Sequence, residues 1–256
     1  MVGLESNSLS RQEALSTLAW LVDAGIDTAM DDRPRDWLAP REAMEAVVEE
    51  PARRSQVPAA NALPATSDAA MAHPEIDGAT SIEALRRAIE AIRPQPIFAD
   101  GDPSSGVMIV GEGPSPDDDR TGAPFSGPSG RLLDRMLAAI GRDRSSCYLS
   151  NLIMWRAPGG RPASDEDIAL GRAILRRHIA LAAPRALLVM GGMPAQALLD
   201  TETGITRLRG RWLDLELDGV TVPALPTFNP AYLLRVPKQK SLAWVDLLAF
   251  KTRIDA

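Results

Sequence analysis

Cysteine is almost missing from this chain of 256 residues, where Cys147 stands alone. One thiol excludes an internal disulfide framework and any zinc or iron–sulfur site built on four cysteines. Long apolar runs are missing too: none reaches the roughly 18 residues that a membrane-spanning helix needs. The segment 1–11 has no basic stretch followed by an apolar core, so a secretory signal is not expected and a cytoplasmic location is. Positive charge is not in excess: the net charge is −6, which by itself argues against a nucleic-acid partner. The balance is uneven, however. Residues 1–99 hold nine basic and sixteen acidic residues, and residues 100–256 hold nineteen and eighteen. The last stretch is locally basic, with Arg235, Lys238, Lys240, Lys251 and Arg253 against Asp246 and Asp255. Local patches rather than the total steer binding to a polyanion.

What is present is the make-up of a globular protein, 45% hydrophobic and 24% charged, long enough for a sizeable core. Residues 8–30 read as an amphipathic helix, with Leu15, Leu18, Ala19 and Val22 at helical spacing, within an N-terminal segment 1–38. Residues 39–80 have the Ala-, Pro-, Ser- and charge-rich composition of a partly disordered linker. Residues 81–256 form the expected main domain. It opens with a helix over 81–92 that Ser81 can cap. Apolar runs of strand length then alternate with helical segments: strands at 107–110, 147–153, 186–190 and 222–228, helices at 129–140, 164–182, 193–200 and 239–253. Alternation with nearly continuous apolar strands predicts an α/β three-layer sandwich, a mostly parallel central sheet flanked by helices. Ligands of such sheets bind beyond the carboxyl ends of the strands, so the residues that follow each strand matter most.

Gly111-Glu112-Gly113 follows the first strand. Its glycines allow a tight turn and close approach of backbone to a ligand, and the carboxylate of Glu112, or of Asp118 in the acidic run after it, can orient a water. Phe125 sits in a loop of Gly, Pro and Ser, suited to stacking on a planar base. Asn151 stands at the next strand's end, with an amide donor and acceptor side by side. Uracil offers an N3–H donor beside an O4 acceptor and matches that amide, whereas cytosine reverses the pattern. Gly191 and Gly192 open a helix whose free N–H groups suit an anion. Asn229-Pro230-Ala231-Tyr232-Leu233-Leu234-Arg235 follows the last strand, where two leucines and a basic residue form a candidate wedge with phosphate contacts. Each feature alone has a plain structural alternative: a surface turn, a core phenylalanine, a turn-capping asparagine, a helix start.

Together and in this order, the segments GVMIVGEGP, DDDRTGAPFSGPSGRLLDRML, YLSNLIMWRAPGGRPASDED, LLVMGGMPAQALL, GITRLRGRW and LPTFNPAYLLR resemble the uracil-DNA glycosylase superfamily, and most closely its family 4. The resemblance runs over residues 97–256. It implies that Glu112 and Asp118 position the attacking water, that Phe125 stacks on the base and that Asn151 reads the uracil edge. It implies that Asn229-Pro230-Ala231 belongs to a loop that enters the minor groove and that Asn229 supports the departing uracil. Two departures stand out. Family 4 members typically carry an iron–sulfur cluster on four cysteines, one of them where Trp155 stands here, and Cys147 is out of register. No cofactor and no metal are therefore expected. Asn229 takes the place of a usual histidine, and neither His73 nor His178 follows a strand; the mismatch-directed branch of the superfamily also uses Asn-Pro and is active. The expectation is a DNA-repair enzyme that hydrolyses the N-glycosidic bond of deoxyuridine as a monomer acting on uracil-containing DNA. The rivals are excision of another deaminated base such as hypoxanthine, and a uracil- or DNA-binding module without turnover.

Overall fold

A computed structural model describes residues 73–217 and 219–255, all within the compact unit Leu63–Ala256. The helix expected over 8–30 and the linker up to residue 72 lie outside the described residues. Residues 73–80, assigned above to the linker, are instead ordered: α1 (Pro74–Asp77) sets Ile76, fully buried, into the core. A single apolar residue among polar neighbours carries too little pattern to reveal this from sequence.

The elements then run α2 (Ile82–Ile92), β1 (Ala99–Gly101), β2 (Val107–Gly111), α3 (Pro116–Thr121), α4 (Gly127–Ala139) and β3 (Tyr148–Asn151). They continue α5 (Asp165–Ala182), β4 (Ala186–Met190), α6 (Gly192–Leu199), α7 (Ile205–Leu208), β5 (Leu213–Leu217), β6 (Val220–Thr227), α8 (Pro230–Arg235) and α9 (Lys240–Ile254). Ser81 caps α2 by accepting from the Ala84 N–H at 3.1 Å. Ser164 and Asp167 close a capping box at the start of α5, satisfying N–H groups that the first turn leaves without partners.

The six strands lie in the order β1-β3-β2-β4-β6-β5. The four central strands pair parallel, and the two edges, β1 on β3 and β5 on β6, are antiparallel. Side chains alternate across the sheet because the strand period is two. Met108 and Val110 join the layer under α2, α5 and α6, and Val107 and Ile109 join the layer under α4, α8 and α9. Both faces are covered, as the three-layer expectation requires. From β2 the chain moves outward to β3, then crosses back over β2 to β4. The carboxyl ends of β2 and β4 therefore flank the point where the direction of winding reverses, the crevice where open α/β sheets bind ligands. Gly111-Glu112 leaves one strand there and Met190-Gly191 leaves the other.

Candidate active site

A cavity of about 430 Å³ opens at this switch point. It is lined by Glu112, Gly113, Phe125, Asn151, Asn229, Ala231, Tyr232 and Arg235 among others, so residues from four separate segments of the sequence converge on one space.

Gly111, one residue before the lining Glu112, pairs with Asn151 across β2 and β3. A Cβ on Gly111 would lie 2.4 Å from Asn151 Oδ1 and 2.5 Å from Phe125 Cζ. Only a residue without a side chain lets the ring and the amide stand side by side. Phe125 is held there in the left-handed region, at φ 55°, a conformation that costs a non-glycine residue on the order of 1–3 kcal/mol and persists only under tight restraint. The restraint is visible. Asp118 Oδ1 accepts from the Ser126 N–H at 2.6 Å, Arg144 donates to the Phe125 carbonyl at 2.5 Å, and Gly130 of α4 leaves room for that carbonyl. The ring packs on the α4 side of the core while one edge faces the cavity, so its core role and its cavity role coexist.

Asn151 is 2% exposed, and its Nδ2 has no hydrogen-bond partner among the described residues. A buried, unmade hydrogen bond costs roughly 1–3 kcal/mol. An unsatisfied amide at the end of a central strand, on a residue that lines a cavity, calls for an explanation.

Glu112 is exposed to the cavity. Its Oε2 and the Cβ of Asn229 each lie 3.6 Å from the point where a Cβ of Gly191 would stand. Glu112, Asn229 and the start of α6 thus meet at one place.

Four expectations meet contacts that the sequence did not show. Asp118 is not free to orient a water. It is buried, and its second oxygen accepts from the Ser115 N–H at 2.8 Å, so both oxygens serve to pin the α3 turn to the Phe125 loop. Asn229 caps α8: Oδ1 accepts from the Ala231 N–H at 2.8 Å, and Nδ2 donates to the Met190 carbonyl at 3.3 Å. One amide hydrogen is left for the cavity. Gly191 and Gly192 do not form an open anion site, because the Gly191 N–H donates to the Thr227 carbonyl at 3.0 Å and the Glu112 carboxylate stands beside the turn. Leu233 is no wedge. It is 1% exposed and belongs to the core layer under α4 and α9, while Leu234, 40% exposed, keeps that possibility.

Sequence reasoning passed over one wall of the cavity. Trp155, Arg156, Arg161 and Asp167 line it. Buried Asp167 accepts from Trp155 Nε1 at 3.2 Å and pairs with Arg161 at 3.0 Å and Arg93 at 3.7 Å. Arg93 also lies over the Trp155 ring, 5.3 Å from its centroid. Hydrogen bonds from Ser164, the indole and Arg161 hold the Asp167 carboxyl well below the usual carboxylate range. This clasp ties the loop after β3 to α2 and α5. The residues do not fit an iron–sulfur cluster. Trp155 lies in the α5 layer, and Cys147 lies across the sheet in the α4 layer, with burial pushing its thiol up to about 11. No group of three or more His, Cys, Asp or Glu among the described residues is arranged to hold a metal. No described helix is long and apolar enough to cross a membrane.

The family model for the uracil DNA glycosylase superfamily matches residues 98–248, which is more than half of the chain and spans every element of the cavity. The chain belongs to that superfamily. Among known proteins it is similar to a type-4 uracil-DNA glycosylase of Thermotoga maritima, 34% identical over 141 residues, covering 54% of this chain and 71% of that one. It is similar to those of Archaeoglobus fulgidus, 32% identical over 142 residues with 54% and 71% covered, and Pyrobaculum aerophilum, 29% identical over 162 residues with 62% and 83% covered.

Proposed function

We propose that this protein is a DNA-repair glycosylase that flips deoxyuridine out of DNA, hydrolyses its N-glycosidic bond and leaves an abasic site. The observation that carries this reading is the unpartnered amide of Asn151 beside the Phe125 edge, over a glycine that admits both. Uracil N3–H donates to Asn151 Oδ1, and O4 accepts from Nδ2. Cytosine would set donor against donor. Extrusion costs a few kcal/mol, least for mismatched or single-stranded sites, and ring stacking on Phe125 offsets part of it.

The C1′–N1 bond then breaks with its electron pair leaving on uracil, whose charge spreads to O2. The remaining Asn229 amide hydrogen stabilises that oxygen as a neutral donor. Glu112, the cavity carboxylate without a partner among the described residues, faces the developing sugar cation and orients the water. The water oxygen bonds to C1′, and one of its protons goes to the departing uracil. Asp118 shapes the loop and takes no part in the proton transfer.

The proposal extends to a variant of family 4 without the iron–sulfur cluster, in which the Trp155–Asp167 clasp holds the wall. It also extends to a monomer, since the described residues of one chain line the cavity, and to action in the cytoplasm. Iron analysis of purified protein tests the variant: no stoichiometric iron is expected, and a cluster absorbance band overturns it. A second reading, binding without turnover, is favoured by the two bonds that already engage Asn229. Cleavage assays on oligonucleotides with uracil opposite G, opposite A and in single strands, beside hypoxanthine, decide between them. Abasic product from uracil supports the proposal. Tight binding without product, or faster release of hypoxanthine, overturns it.

A further inference from the structure

The segment GITRLRGRW, residues 204–212, does not line the cavity, yet it holds the strand that leads to Asn229. Arg209 follows α7 and forms a bidentate ion pair with Asp246 of α9, Nε to Oδ2 at 3.0 Å and Nη2 to Oδ1 at 2.6 Å. Asp246 is 1% exposed. Its Oδ2 also accepts from Thr227 Oγ1 at 2.7 Å, and Thr227 is fully buried at the carboxyl end of β6. Gly210 makes the approach possible: it turns at φ +71°, and a Cβ there would stand 2.6 Å from Asp246 Oδ1.

These groups hold, one after another, the three residues that precede Asn229. The Gly210 N–H donates to the Pro226 carbonyl at 2.9 Å. Thr227 is held by Asp246 through its hydroxyl, and by the Gly191 N–H through its carbonyl at 3.0 Å. The Arg209 guanidinium lies over the Phe228 ring, 5.4 Å from its centroid. The bonds of Asn229 itself run to Ala231 and Met190, so they orient the amide within the turn, while Asp246 ties the strand end to α9. A buried ion pair rarely gains stability over apolar packing, and burial pushes the Asp246 carboxyl above its usual range even with both partners in place. What the pair supplies is one fixed arrangement of the strand end.

We propose that Thr227, Asp246 and Arg209 are positioning residues for Asn229. The buried ion pair, acting through the Thr227 hydroxyl, fixes where β6 ends and so where the remaining amide hydrogen of Asn229 points. The inference rests on the glycosylase reading, in which that hydrogen serves uracil O2, and adds the residues that aim it.

Thr227→Val tests the role. It removes the hydroxyl, keeps the backbone bond to Gly191 and leaves Asp246 paired with Arg209. Single-turnover excision from a uracil oligonucleotide is expected to slow by roughly tenfold to hundredfold, the cost of misplacing a catalytic group by up to about 1 Å, with affinity for the oligonucleotide near the parent value. Thr227→Ser keeps the donor and should restore the parent rate. Arg209→Lys keeps the charge but loses the bidentate fork and should slow excision as Thr227→Val does. In an Asn229→Ala background neither Thr227→Val nor Arg209→Lys should cost anything further, because the donor they aim is gone. The side-chain amide resonance of Asn229, assigned by its loss in Asn229→Ala, should move in Thr227→Val and stay in Thr227→Ser. A parent rate in Thr227→Val, or an equal loss in the Asn229→Ala background, overturns the positioning role and leaves the glycosylase reading standing. A parent that excises nothing overturns that reading. The amide resonance then decides the positioning role: movement in Thr227→Val alone supports it, and an unmoved resonance overturns it.

Discussion

Replacing Asn151 by leucine separates the two things this residue can do. The side chains are similar in shape, but leucine has neither donor nor acceptor. In the protein alone, the Asn151 amide is 2% exposed with an unpartnered Nδ2, so it lowers stability by roughly 1–3 kcal/mol against a satisfied group. Leucine removes that cost. For a domain of this size 1 kcal/mol corresponds to roughly 2–4 °C, so Asn151→Leu should melt no lower than the parent and up to several degrees higher. With substrate bound, two hydrogen bonds to the base are lost, and the uracil N3–H and O4 are buried without partners. At roughly 1–3 kcal/mol each, the transition state loses roughly 2–6 kcal/mol, about 30-fold to 10⁴-fold in kcat/KM. Differential scanning fluorimetry reads the first effect, and single-turnover cleavage of a uracil oligonucleotide reads the second. A variant that melts well below the parent means the amide holds the fold. One that excises uracil at the parent rate removes Asn151 from base recognition and takes the central argument with it.

Three further outcomes follow from particular contacts. Gly111→Ala puts a Cβ 2.4 Å from Asn151 Oδ1 and 2.5 Å from Phe125 Cζ, so overpacking of about 1–3 kcal/mol should lower the melting temperature and excision together; parent-like activity would show that the site tolerates a displaced ring. Asn229→Ala loses a helix cap worth about 1 kcal/mol and also the last donor toward uracil O2, so its rate should fall further than its stability explains, whereas Asn229→His should keep or raise the rate; a rate unchanged in Asn229→Ala leaves only the cap. Buried His178 accepts from or donates to Tyr148 at 2.8 Å, and burial pushes its pKa down to about 3 from 6.5. The unfolded chain therefore binds a proton that the folded chain refuses: stability is whole above pH 6.5 and declines as the pH falls toward 3. Between about pH 6.5 and 5, before the carboxylates titrate, His178→Gln should flatten that decline in melting temperature, and an equal slope in both proteins would refute the assignment.

The central layers were legible in the sequence because they are written locally. The run VMIV is apolar at every position, as a strand covered on both faces must be, and Ser81 and Ser164 mark their helix starts through bonds to residues three positions away. The site was legible in outline for a related reason. Glycines and single polar residues after apolar strands fall at the sheet's carboxyl edge whatever the details of packing, so Glu112, Phe125, Asn151 and Asn229 belong to one cavity once the strands are parallel. The edge strands were harder. β1, of sequence ADG, has no strand pattern of its own and is extended because β3 offers it an edge, while LDLEL in β5 carries its own alternation.

Roles depend on partners far away in the chain, and there the tertiary structure alone decided. Asp118 looks free to orient a water until Ser126, eight residues on, donates to its Oδ1. Leu233 turns inward to join the core layer that α4 helps to build. Trp155 becomes part of a clasp because Arg93 and Asp167 arrive from α2 and α5. Sequence specifies which groups are available. Whether a buried amide, carboxylate or guanidinium is spent within the protein or kept for a ligand depends on hydrogen-bond and charge pairing across the fold, and no local pattern contains that sum.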